Sequence, residues 1–359
     1  MSNPAGTSRI LALTSWRGIF AVCIVLFHCR VEAFTEPTKF GVTFFFVVSG
    51  FLLEMKHRCL DLGPRHYAKF IGARALRLYA MHWAMLAAFI AMAMGVARGQ
   101  GVNWDAFVPN LLFVQIFSCD HDVIFSFNGH MWFLGDLLLC YALYPLLRAL
   151  GSRMNLRSQV IAASAVMALL WVVMGCFVPF ERLTACYTFP PIRIFEFWMG
   201  MVLCHCFDAV KEHATRWTDA KVQGLWLTTV GGIVAMFVLT RLAEGSIIDY
   251  FNEFVMWQLP VAALVLLSAL TAGRTDALTR LVCSRPLLWL GELSLEIYIL
   301  QAVAGQIYAY LVSPFFGHFG IHIYDQYAVG IFFVLLPLAW LCRRYFTRPL
   351  TRWVARIFA

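Results

Sequence analysis

Apolar runs of about 17–25 residues recur along the whole chain, a length suited to helices crossing roughly 30 Å of hydrocarbon. Short polar clusters separate them. The pattern predicts ten helices, at about 9–29, 41–55, 70–97, 131–150, 158–178, 190–208, 222–242, 254–272, 287–312 and 327–343. Helices are the open-chain solution in lipid, because an unpaired backbone group there costs several kcal/mol. The expected fold is therefore all-α and polytopic, one membrane domain over residues 1–359, with no soluble domain and no internal repeat. A shorter apolar stretch at 106–117 (AFVPNLLFVQIF) is expected to be interfacial or re-entrant rather than spanning.

Composition agrees with the pattern. The chain is 61% hydrophobic and 13% charged, against about 45–50% and about 25% for soluble domains. One core does not absorb that excess, so a lipid bilayer must cover part of it. The net charge of +8 is not that of a nucleic-acid binder, because the bases sit in short clusters between apolar runs. With the N-terminus inside, 21 of the 28 lysines and arginines fall in inner segments. Five fall outside (Arg30, Lys39, Arg98, Arg182 and Arg241), and Arg17 and Arg193 lie within helices. That asymmetry predicts cytoplasmic N- and C-termini. The cysteines form no CxxC pair and are expected to pack as small apolar residues. Cys119 and Cys186 share the outer side and are able to pair there.

Ionisable groups inside a membrane segment are costly unless they face a bundle interior or a wet cavity, which makes them functional candidates. In the first helix Arg17 and His28 are eleven residues apart, about three turns, so they share one face about 16 Å apart along the axis. The plain reading of a lone histidine near a helix end is an interfacial residue. Arg17 lies too deep to snorkel easily. Ser49 and Gly50 make a small polar notch in the aromatic second helix, suited to a ligand or to close helix packing. Arg74 and Arg77 stand one turn apart at the inner mouth of the third helix, where they serve either as membrane anchors or as a phosphate site. Trp132 and Asp136 lie near the outer end of the fourth helix with His130. Arg193 and Glu196 are spaced to pair in the sixth, and Glu292, Ser294, Glu296 and Tyr298 follow in the ninth.

These residues resemble the acyltransferase-3 family of bacterial membrane O-acyltransferases. Arg17 to His28 matches that family's arginine, ten residues, histidine motif. FFFVVSGFLL (44–53), ARALRLY (73–79), HMWFLGDLLLCYALYPLL (130–147), RIFEFWMG (193–200) and LGELSLEIYIL (290–300) follow in order. The chain departs from the family at Ala80, where many members have proline, and at Gln301, where many have histidine. Where some have a glutamate it has Leu137, with Asp136 adjacent. It matches the stand-alone form, without an SGNH hydrolase-like domain.

The resemblance implies a protein of the bacterial inner membrane that moves an acyl group, usually acetyl, from cytoplasmic acyl-CoA to a hydroxyl of an extracytoplasmic glycan, with no metal. Arg74, Arg77 and Arg58 are then expected to hold the CoA phosphates. Arg17 is expected to line the donor channel or to neutralise charge on the carbonyl oxygen. His28 acts as general base, a task that suits a group of pKa about 6.5. Ser49, Trp132, Asp136, Glu196 and Glu296 are the remaining candidates for substrate contact, and Ser49 is also a conceivable acyl carrier. The reading from another class is a secondary transporter or exporter of a glycan or lipid-linked substrate, for which paired broken helices are a common sign. None is found.

Overall fold

The computed structural model describes residues 10–58, 63–95, 102–118, 120–178, 187–243, 255–319 and 327–358. Its long helices are α1 (Leu11–His28), α2 (Thr35–His57), α3 (Pro64–Gly95), α4 (Trp132–Ser152), α5 (Leu156–Phe177), α6 (Pro190–Ala214), α7 (Asp219–Leu242), α8 (Gln258–Leu270), α9 (Arg285–Ile307) and α10 (Tyr327–Cys342). A π-helical turn (Arg343–Thr347) leads into a further helix, α11 (Arg348–Ile357). No strand occurs among the described residues. The sequence signals that start these helices are local. Asn155 and Thr218 accept hydrogen bonds from the Ser158 and Lys221 amides to cap α5 and α7. Prolines occupy the first turns of α6 and α9, where a missing N–H costs nothing.

Eight helices are long and apolar enough to cross a membrane. The protein is an all-α, polytopic, multi-pass membrane protein. Two of the ten expected spans fall short of that criterion. α6 carries Arg193, Glu196, Asp208, Lys211 and Glu212, and α8 has 13 residues, about 20 Å of helix at 1.5 Å per residue.

Burial sorts the spans. The second, containing α2, has 72% of its membrane window buried within the protein, whereas α5 has 6%. α1, α2 and α9 form the centre; α5, α7 and α10 face outward. α6 belongs with the central group despite its charges, since Arg193 and Glu196 are both fully buried.

Two helix pairs meet backbone to backbone through glycines. A Cβ on Gly50 of α2 would lie 1.9 Å from the Phe197 carbonyl oxygen, and one on Gly200 of α6 would lie 2.0 Å from that of Val47. Gly18 of α1 and Gly291 of α9 stand in the same relation, a Cβ on Gly291 falling 1.9 Å from the Thr14 oxygen. Helices in lipid associate by close packing of small residues, having no hydrophobic drive to do so. The Gly50 notch is thus a packing surface.

Residues 106–117 do not span. They form a five-residue helix, Phe107–Leu111, between 3-10 turns, and leave Val108, Leu112, Val114 and Phe117 exposed. His82 of α3 donates to the Asn110 carbonyl at 2.6 Å and anchors the segment. Cys119 and Cys186 lie outside the described residues.

Candidate active site

A cavity of about 440 Å³ opens between α1, α2, α3, α4, α9 and α11, within the ordinary size range of small-molecule sites. Arg17, Lys56, Arg74 and Arg77 line it, and among the described lining residues there is no Asp or Glu. Three of these cations cluster where α2 ends and α3 begins. Arg74 lies over the Phe70 ring at 3.8 Å and that of Tyr141 at 5.4 Å. It also bonds the Phe70 carbonyl at 3.2 Å and meets His57 Nε2 at 3.1 Å. The guanidinium is thereby held flat against the wall, oriented before any ligand arrives. Arg17 stands deeper, close enough to Tyr141 and Glu296 to interact electrostatically with both. Beyond it the lining is apolar (Phe45, Val48, Leu134 and Leu137) and ends at Phe133 and Tyr298.

Those two aromatics pack at 5.3 Å and divide the cavity from a second polar group. On its far side the Tyr298 hydroxyl donates to the His130 carbonyl at 2.7 Å. The His130 ring meets the His28 ring edge-on at 4.1 Å. His28 Nδ1 lies 2.8 Å from the Ile24 carbonyl. A carbonyl only accepts, so Nδ1 carries the proton and Nε2 presents a lone pair. His130 is fixed in the same sense. Its Nδ1 is 3.0 Å from Asn128 Oδ1, while the Asn128 amide donates to the Ile299 carbonyl at 3.0 Å. The Gln301 side chain also reaches His28.

The sequence candidates therefore divide. Arg17, Ser49, Arg74 and Arg77 line one cavity. His28 does not line it, but stands behind its aromatic end. Ser49 donates to the Phe45 carbonyl at 2.7 Å, a bond internal to α2. Arg58 is not a lining residue; it pairs with Asp208 of α6 and bonds Cys204 Sγ at 3.4 Å. Glu196 is bound by Arg193 at 2.7 Å and by the Thr43 hydroxyl at 2.9 Å. Arg193 also donates twice to the Tyr187 carbonyl and stacks near Tyr187 and Trp132. This group sits between α2, α4 and α6, with Asp136 buried beside it. Glu296 is buried against Arg343 at 3.7 Å. Trp132, Asp136, Glu196 and Glu296 are thus interior groups outside the cavity lining.

Two parts of the site go beyond the sequence candidates. His130, noted in the sequence at the head of HMWFLGD without a role, forms the partner group of His28 together with Asn128, which the sequence reading passed over. Thr351, Val354 and Ala355 of α11 form one wall of the cavity mouth. The ten predicted helices stop at 343 and leave this arginine-rich segment unassigned, although TRWVARI has one basic and one apolar face at helical spacing.

A multi-pass helical bundle with a cation-lined cavity, and a tautomer-fixed histidine behind its apolar end, is suited to holding an anionic substrate within the membrane. The family model of the acyltransferase domain in the acyltransferase-3 family matches residues 10–351, and the chain belongs to that family. Acyltransferase MdmB of Streptomyces mycarofaciens is 24% identical over 330 residues, covering 83% of this chain and 79% of its own. No solved structure matches the chain. The protein is a membrane acyltransferase.

Proposed function

We propose that the protein transfers an acyl group, acetyl first among candidates, from acyl-CoA on the cytoplasmic side to a hydroxyl of an extracytoplasmic glycan. The observation that carries this reading is the cavity itself: four cations with no carboxylate among its described lining residues, narrowing to an apolar end behind which His28 presents Nε2. Arg74, Arg77 and Lys56 receive the CoA phosphates. Arg17 and His28 are about 16 Å apart along α1 with both side chains leaning the same way, so they do not serve the same carbonyl. Arg17 therefore acts on the donor arm in the channel, and His28 acts on the acceptor.

In the transfer the acceptor hydroxyl oxygen attacks the thioester carbon while His28 Nε2 takes its proton. The C–S bond then breaks, the CoA sulfur leaves with its electron pair, and the ester remains on the sugar. His28 returns its proton to solvent or to the departing thiolate. Direct transfer is favoured over an acyl-enzyme at Ser49, because among the described residues no histidine or carboxylate is bonded to that hydroxyl and its own bond is to a backbone carbonyl. The positive-inside distribution supports an inner-membrane protein whose donor mouth faces the cytoplasm.

The test is transfer of labelled acetyl from acetyl-CoA to cell-surface polysaccharide by membranes holding the protein, against membranes holding His28→Ala. Label appearing only with the native chain supports the reading. Movement of unmodified glycan without acylation would instead identify an exporter.

A further inference from the structure

The inner ends of α9 and α10 enclose a second cleft, of about 200 Å³, lined by Trp289, Glu292, Trp340, Arg343, Arg344 and Arg348, with Leu293 at its base. It lies at the same end of the bundle as the mouth of the large cavity but on the opposite side of α9. At 100° per residue, Trp289, Glu292 and Leu293 centre on one face of that helix, and the cavity-lining Ser294, Leu295 and Tyr298 on the other. The cleft therefore opens outward, toward lipid.

Its chemistry has two parts. Trp289 and Trp340 are 44% and 41% exposed, as expected of amphipathic rings at the headgroup level. Arg344 lies 5.2 Å from the Trp340 ring, which orients it without consuming its N–H donors. Arg343 bonds the Glu292 carbonyl and pairs with the Glu292 and Glu296 carboxylates at 3.3 and 3.7 Å; Arg348 approaches Glu292 at 3.9 Å. Three guanidiniums thus face two carboxylates, leaving excess positive charge in the cleft. The Arg343 Nε donor is buried with no hydrogen-bond partner among the described residues, a cost that an added acceptor would relieve. The π-helical turn at Arg343–Thr347 brings these arginines to one side before α11 begins.

We propose that this cleft binds the phosphate headgroup of an anionic phospholipid. Its acyl chains lie along the exposed outer face of α10, where Phe333 and Leu341 are exposed. The lipid holds Arg348, the first residue of α11, whose other side walls the donor cavity.

The experiment titrates the detergent-solubilised full chain with short-chain phosphatidylglycerol, phosphatidylcholine, inorganic phosphate and coenzyme A, and counts bound ligands by native mass spectrometry. Phosphatidylglycerol is expected to bind well ahead of phosphatidylcholine and to survive excess coenzyme A. Arg344→Gln and Arg348→Gln should each weaken it about fivefold, while Arg352→Gln should not remove the preference. Equal binding of the two lipids overturns the proposal, and so does displacement by coenzyme A or by phosphate at equal concentration. The lipid comparison on the native chain decides the matter even if a variant fails to fold. It is independent of acyl transfer, so its failure would leave the proposed activity standing.

Discussion

His28 and His130 touch ring to ring and both are held with Nδ1 protonated, but only His28 lies on the helix that carries Arg17. With Nδ1–H committed to Ile24, its Nε2 is the base available to an incoming hydroxyl. His28→Ala should lower acyl transfer on the order of a thousandfold, the usual worth of a positioned general base, with the protein still folded in membranes. Retained glycan acylation in a His28→Ala strain would remove the general-base role. Arg74 is held against Phe70 and Tyr141 before any ligand binds. Arg74→Ala is therefore expected to raise the Michaelis constant for acyl-CoA about tenfold, as loss of one charge-assisted bond implies, with little change in kcat. An unaltered constant for the donor would show that the phosphates bind elsewhere.

At the scale of elements, the reciprocal glycine contacts decide which helices lie at the centre. α2 and α6 approach so closely through Gly50 and Gly200 that the buried Arg193–Glu196 pair of α6 comes within reach of Thr43 on α2. Gly200→Ala forces a Cβ against the Val47 carbonyl and should cost about 1–3 kcal/mol, as overpacking does. Gly231→Ala on α7, where a Cβ meets nothing within 4 Å, should be neutral or slightly stabilising, since alanine is the better helix former. Thermal unfolding of the two variants in detergent reads the contrast, and equal melting temperatures would contradict the packing. Arg193 with Glu196 is an interior clamp, joining α6 to the Tyr187 backbone, and the same pair seen in sequence as a functional candidate finds its use there.

Over the whole molecule, the ends of the helices alternate so that the donor mouth, the arginine-rich cleft and α11 all lie at one end, and His28 with His130 at the other. The proposed orientation, drawn from the charge distribution, has the first end inside. Cysteines introduced at Ser152, the last residue of α4, and at Asp105, in the segment after α3, should accordingly differ. A membrane-impermeant thiol reagent applied to intact cells, on a background lacking the native cysteines, should label Asp105→Cys and spare Ser152→Cys. The reverse pattern would invert the topology and with it the assignment of donor and acceptor sides.

The ten apolar runs were legible because the bilayer imposes a length and a polarity on each span independently of its neighbours. The Arg17–His28 motif was legible because both groups lie on one helix, whose periodicity fixes their relative placement. What the chain order alone did not determine is which charges share a space. Arg58 looked equivalent to Arg74 as a basic residue near the same mouth, but Asp208, 150 positions away, takes it up. Glu196, Asp136 and Glu296 looked like substrate contacts and are enclosed among helices instead. α11, beyond the last predicted helix, is a wall of the cavity, and His130 acquired its place only through contact with α1. Local periodicity sets where a side chain points on its own helix. Only packing between helices distant in sequence, here brought together across glycines, decides whether that direction leads to a partner, to lipid or to the cavity.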